Sequence, residues 1–111
     1  MNKRKVDQLR LTPLARDDLE NIWTYTAEHW SIKQADQYIA SLDMAFQRLA
    51  EVPELMRLRM EFEPPMRIYP HRSHIIIYTV SGRDLVIIRV RHGHEDWSLD
   101  PAGIGPEGEI K

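Results

Sequence analysis

The feature that most limits what this chain can become is a change of hydrophobic period near its middle. From Pro13 to Glu51 apolar residues return every three or four positions, whereas from Met66 to Val90 they come in short runs rich in isoleucine and valine. The first pattern is that of a helix with one covered face, and the second, bounded by turn residues, is that of strands. No internal repeat is visible, and 111 residues fit one domain with one core.

The elements can be placed in order. Leu9 and Leu11 alternate with Gln8 and Arg10, as in a half-buried strand. Thr12 then suits a helix N-cap with Pro13 at the first helical position. Ala15, Leu19, Ile22, Trp23, Thr26 and Trp30 form the apolar stripe of a first helix, and both tryptophans are expected in its core. Ser31 and Gln34 fit a capping box, and Ala35, Tyr38, Ile39, Leu42, Ala45, Phe46 and Leu49 form a second stripe. Two helices joined this tightly predict a hairpin. Pro53 ends it, and residues 52–65, with Pro64 and Pro65, read as loop.

Three β-like runs follow: MRIYP, HIIIYTV and DLVIIRV, the last two joined by SGRD, whose Gly82 suits a hairpin turn. The expected fold is α+β: a strand, a two-helix hairpin and a three-stranded antiparallel meander, with the helices on one face of a small, mostly antiparallel sheet. Residues 1–97 form the domain in this reading. Residues 98–111, Gly- and Pro-rich, form a tail expected to contribute little to folding.

Charge is divided unevenly. Residues 13–52 hold Arg16, Lys33 and Arg48 against seven acids, while residues 57–94 hold seven arginines against Glu61, Glu63 and Asp84. Strict alternation puts Val86, Ile88 and Val90 on one side of the last strand and Leu85, Ile87, Arg89 and Arg91 on the other. If Ile68 lies under the helices, Arg67 joins Arg89 and Arg91 on the uncovered face. Such arginines either solubilise an open face or grip carboxylates and phosphates bidentately, and the pattern leaves both open.

Several chemistries lack their residues. There is no cysteine, which removes disulfides, thiolate metal sites and thiol nucleophiles and suits a reducing cytosol. No GxSxG, Walker or dinucleotide loop occurs, and no cofactor is expected. His92, His94, Glu95 and Asp96 crowd the last strand's end without a spaced ligand partner, so no metal is expected there. His92 suits a general acid or base, or a ring packed at the strand end. Trp97 either covers the sheet edge or meets a partner. MNKRK leads into VDQLRL rather than an apolar signal core, and IIIYTV is too short to span a bilayer, so a soluble cytoplasmic protein is expected.

From about Leu9 to Trp97 the chain resembles the RelE/ParE superfamily of type II toxin-antitoxin toxins, and within it the ParE-like branch. The carriers are LTPLARDDLENIWTY, ADQYIASLDMAFQRLAEVPEL and, most specific, RSHIIIYTVSGRDLVIIRVRHGHEDW. In the last block Arg89, Val90, Arg91 and His92, with His94 and Asp96, match the family's strand ending. His94 and Glu95 stand where many relatives carry arginine, which lowers the positive charge there.

The resemblance implies a toxin neutralised by a cognate antitoxin, ParD-like and of the ribbon-helix-helix type, with DNA met only through antitoxin or gyrase. ParE-like members act on DNA gyrase, whereas RelE-like members cleave messenger RNA on the ribosome. A ribonuclease would draw on Arg67, Arg89 and His92. However, Lys3, Lys5, Lys33 and Lys111 all fall outside the predicted sheet face, so gyrase is the expected target and no catalytic residue is expected. A degenerate toxin that only binds antitoxin is the remaining alternative. Contacts to target or antitoxin are expected at Arg67, Tyr69, Arg89, Arg91, His92 and Trp97. The antitoxin's C-terminal segment would use a groove beside the hairpin or an unpaired sheet edge.

Overall fold

The computed structural model describes residues 6–94 and 97–103. Strand β1 (Gln8–Leu11) leads into helix α1 (Pro13–His29), which turns into helix α2 (Ile32–Glu51). After the loop come β2 (Arg67–His71), β3 (His74–Ser81) and β4 (Asp84–His92), then a single 3-10 turn at Trp97–Leu99. The strands lie in the order β1-β4-β3-β2, with β1 parallel to β4 and the other pairs antiparallel. The expected α+β layout is therefore present, with a mixed sheet and the hairpin on one face.

The local signals act where the sequence puts them. Thr12 caps α1 by accepting from the Ala15 amide at 3.0 Å, and Ser31 caps α2 by accepting from the Gln34 amide at 3.0 Å. Gly82 takes φ 62 in the β3–β4 turn, a left-handed conformation that glycine adopts without a Cβ clash. The second stripe is the better buried of the two: Ala35, Leu42, Ala45, Phe46 and Leu49 are all inside. These α2 residues, Ala35 excepted, pack with Ala15 onto Ile76, Tyr78, Leu85, Ile87 and Val90 to form the main core. Trp30 departs from expectation. It lies at the hairpin tip and is 69% exposed, while Trp23 stays half-buried and donates from Nε1 to Asp36 at 2.9 Å.

The faces of the sheet differ from the alternation rule for one reason. Tyr78 pairs with Ile87 but Ile77 pairs with Arg89, so Ile88 is an extra residue, a β-bulge. Before the bulge Leu85 and Ile87 face the helices, and after it Val90 does. Ile88 goes to the opposite face, as do Arg91, opposite Ile75, and Arg89, opposite Ile77. Arg89 and Arg91 thus share a face as expected, but not the face of Leu85 and Ile87.

Arg67 is corrected as well. It pairs with Tyr78, and Tyr69 with Ile76, so both belong to the helix side, while Ile68 is buried on the other side. The Arg67 guanidinium donates to the Met56 carbonyl beneath the loop, and Tyr78 Oη donates to the Pro53 carbonyl at 3.0 Å.

Nor is the second face open. Phe62, Met66, Ile68, Ile75 and Ile77 form a small core there, with Ile88, Trp97 and Ala102 against it. Trp97 therefore covers the sheet: its ring lies 6.3 Å from that of Phe62, and the Arg59 guanidinium sits over both rings. Of the Gly- and Pro-rich segment after Trp97, residues 98–103 run along this face, and residues 104–111 lie outside the described residues.

Candidate functional site

β4 outruns β1, whose pairing ends at Leu11 opposite Ile87, and so exposes a free edge. Buried backbone groups need partners, and α1 supplies them. Thr12 Oγ1 donates to the Ile88 carbonyl at 2.7 Å, and Asp18 Oδ2 accepts from the Val90 amide at 2.9 Å. The same Asp18 carboxylate takes a bidentate pair from Arg89, Nε at 2.7 Å and Nη2 at 2.8 Å, with side chains only 11% and 15% exposed. Arg89 Nη1 then donates to the Ala102 carbonyl at 2.9 Å, and Arg91 Nη1 to the Asp100 and Pro101 carbonyls at 2.7 and 3.2 Å. Two of the expected contact residues are thus committed inside the molecule.

Beyond this capped edge a groove of about 810 Å³ opens between the hairpin and the sheet end. Tyr25 from α1, Trp30 at the C-cap of α1 and Tyr38 from α2 line one side, with Arg72, His74, Arg91 and His92 on the other. The tight turn between β2 and β3 places Arg72 and His74. Its Arg72 has φ 53, a left-handed conformation uncommon for a side chain of this kind. The Arg72 guanidinium lies 5.8 Å over the Tyr38 ring.

Two polar pairs link α2 to the β2–β3 turn, and the first of them lines the groove. Tyr38 Oη and His74 Nδ1 are hydrogen-bonded at 2.6 Å, and Ser41 Oγ and His71 Nε2 at 3.0 Å. The His74 and His92 rings meet edge-on at 5.2 Å, and His92 stacks on His94 at 5.0 Å. Burial, with the Arg72 charge adding to it, holds the His71 imidazole below its ordinary value, so it is neutral at pH 7. Burial pushes the Tyr38 phenol up, against the opposing pull of Arg72 and of a Ser73 backbone bond, so it keeps its proton. Among the described residues no cluster of three or more histidines, aspartates or glutamates has the geometry to hold a metal ion.

Of the residues singled out in the sequence, Arg89, Arg91 and His92 line the groove. Arg67 and Tyr69 lie on β2 beside the loop, and Trp97 sits on the opposite face of the sheet. Sequence reasoning missed Arg72, His74, Tyr38 and the exposure of Tyr25 and Trp30. A signal for Arg72 exists: only three residues, His71 to Ser73, separate the runs MRIYP and HIIIYTV, which forces a tight turn there.

With this geometry in view, the comparisons with known proteins are consistent. Residues 9–97 match the family described as ParE toxin of type II toxin-antitoxin system, parDE. Toxin ParE1 of Mycobacterium tuberculosis is 36% identical over 87 residues, covering 78% of this chain and 89% of that protein. Toxin ParE1 of Caulobacter vibrioides is 34% identical over 83 residues, covering 75% and 85%. Among solved structures, the chromosomal ParDE system from P. aeruginosa superposes with a TM-score of 0.68 at 18% identity, over 77% of this chain and 94% of that one. The RelBE2 complex of Mycobacterium tuberculosis superposes at 0.61 and 19% identity, over 86% and 100%. At those identities the structures speak for the shared fold, while the family match and the ParE1 relatives carry the assignment: this chain belongs to the ParE toxin family of type II toxin-antitoxin systems, within the RelE/ParE superfamily.

Proposed function

We propose that this chain acts as a poison of DNA gyrase by binding rather than by catalysis, and that a cognate ParD-like antitoxin of the ribbon-helix-helix type holds it inactive in the cytoplasm. The observation that carries the binding reading is the fate of the three residues a ribonuclease was expected to use. Arg67 lies on the helix side under Met56, Arg89 lies on the other face in a bidentate pair with Asp18, and His92 stands at the strand end. Arg89 and His92 both line the groove but Arg67 stands outside it, so the three do not meet at one point, and phosphoryl transfer needs its groups within hydrogen-bond reach of one substrate. Among the described residues no helix is long and apolar enough to cross a membrane.

One observation favours the ribonuclease alternative through other residues: Tyr38, Arg72, His74 and His92 meet in the groove. A paired assay separates the two. Purified protein is expected to inhibit gyrase supercoiling or trap gyrase-DNA cleavage complexes while ribosome-bound message stays intact. Message cleavage that is lost in His74→Gln, with gyrase unaffected, moves the assignment to the ribonuclease. A chain inactive in both assays that still binds antitoxin is the degenerate toxin.

A further inference from the structure

We infer that Arg72 is the seat for a carboxylate of the antitoxin's docking segment, with an aromatic or aliphatic neighbour of that carboxylate lying against Tyr25 and Trp30 across the groove. This rests on the antitoxin reading above, and it moves the electrostatic anchor from the arginines prominent in the sequence to one that was not. Arg89 and Arg91 are held by Asp18 and by the carbonyls of residues 100–102. Arg72 makes no ion pair with any described residue. Its guanidinium is parked over Tyr38 at the groove mouth, at a turn position whose left-handed backbone favours glycine. Strain kept at one exposed residue beside a groove is a mark of a functional position.

The facing wall explains the second half of the ligand. Tyr25 is 60% exposed and Trp30 69% exposed, two large rings left in water at the hairpin tip. Rings of this kind are the usual anchors of a protein interface, and a guanidinium that can pair bidentately fixes the register of an acidic residue beside them.

Charge decides between a peptide and a nucleic acid. In the groove Asp18 takes the Arg89 guanidinium and backbone carbonyls hold Arg91, which leaves Arg72 presented to a ligand as a single guanidinium beside the rings rather than as one of a row that a run of phosphates would need. A single carboxylate on Arg72, with apolar neighbours on the rings, needs no such row.

The test uses the full-length chain, the full-length antitoxin encoded with it, and the substitution Arg72→Gly, which removes the charge while suiting φ 53. Its melting temperature is expected to stay level or rise. Its affinity for antitoxin is expected to fall roughly 10- to 100-fold, as for the loss of one charged hydrogen-bonded pair, with a shallower salt dependence. Arg72→Lys is expected to recover part of the loss, and Trp30→Ala to lose about tenfold on its own. Antitoxin that binds wild type and Arg72→Gly alike overturns the seat and leaves the antitoxin reading intact, whereas no antitoxin binding to wild type overturns both. A short single-stranded DNA oligonucleotide that binds wild type but not Arg72→Gly would also overturn it, by giving the groove to a polyanion.

Discussion

The two faces of the sheet are covered by different means. On the helix side, two capped helices press a regular stripe onto Ile76, Tyr78, Leu85, Ile87 and Val90, and Leu42 and Leu49 are wholly enclosed. On the other side, Ile75 and Ile77 are just as deeply placed, but their cover is a loop around Phe62 and the irregular segment 97–103. That cover brings fewer apolar side chains than the helices do: Phe62, Trp97 and Ala102 pack on the sheet, while Leu99 is 82% exposed. It is held by backbone carbonyls on the Arg89 and Arg91 guanidinium groups. Dispersion and apolar burial over many contacts secure the first face, and a few directional bonds secure the second. The first should therefore fail only with the whole domain, and the second should be able to open alone.

The largest expected effect is on the helix face. Leu42→Ala leaves a cavity in the main core and is expected to cost about 3–4 kcal/mol, seen as a shift in the midpoint of denaturant unfolding with one transition. Next comes Asp18→Ala, which removes the bidentate carboxylate from a mostly buried Arg89 and the acceptor from the Val90 amide at once. It is expected to cost about 3 kcal/mol and to raise hydrogen exchange in β4 and in residues 97–103 together. If exchange rises in β4 alone, Arg89 does not couple α1 to the covering segment.

A smaller effect, about 1–2 kcal/mol, is expected for Gly103→Ala. Gly103 has φ 70, which a side chain strains, and a Cβ there would sit 2.0 Å from Arg89 Nη1, so either that guanidinium leaves its place against Asp18 or the segment lifts. The Trp97 indole resonance should shift toward its solvent-exposed value while the hairpin amides stay protected. Cooperative unfolding of the whole domain instead would mean that the two faces form one unit. Deleting residues 98–111 is expected to act in the same direction and lower the melting temperature by several degrees, against the sequence expectation of a nearly silent tail.

The smallest effect is one of pH. The folded state holds the His71 imidazole below its ordinary 6.5, so on acidification the unfolded chain takes up the proton first. Stability should fall as pH drops through about 6.5 and level off once the folded state is protonated as well. His71→Asn should flatten that part of the profile. An unchanged slope would assign it to other groups.

How much of this was legible depended on range. The stripe of α2 and the caps Thr12 and Ser31 were read in place, because each needs only residues three or four positions away. The trend of α1 is legible too, but the stripe puts Trp30 in the core, because a stripe gives the direction of a side chain and not the point where its neighbour ends. The site was less legible. His92, Arg89 and Arg91 lie near the groove as expected, while Arg72, Tyr38 and His74 are missed because they join a helix residue to a turn 36 residues further along the chain.

The sequence by itself determined the element order, the hairpin, the meander and the division of charge between the halves. These follow from helical and strand periods and from turn chemistry, which are properties of a local backbone. Only the tertiary structure decided which face each arginine serves. One bulge at Ile88 reverses the parity of every residue after it, and a bulge is a property of two paired strands rather than of one. It also decided what the arginines do. The Asp18 partner of Arg89 is 71 residues away, and a long flexible side chain takes whichever carboxylate the fold brings within reach. No local pattern in the sequence records that distance.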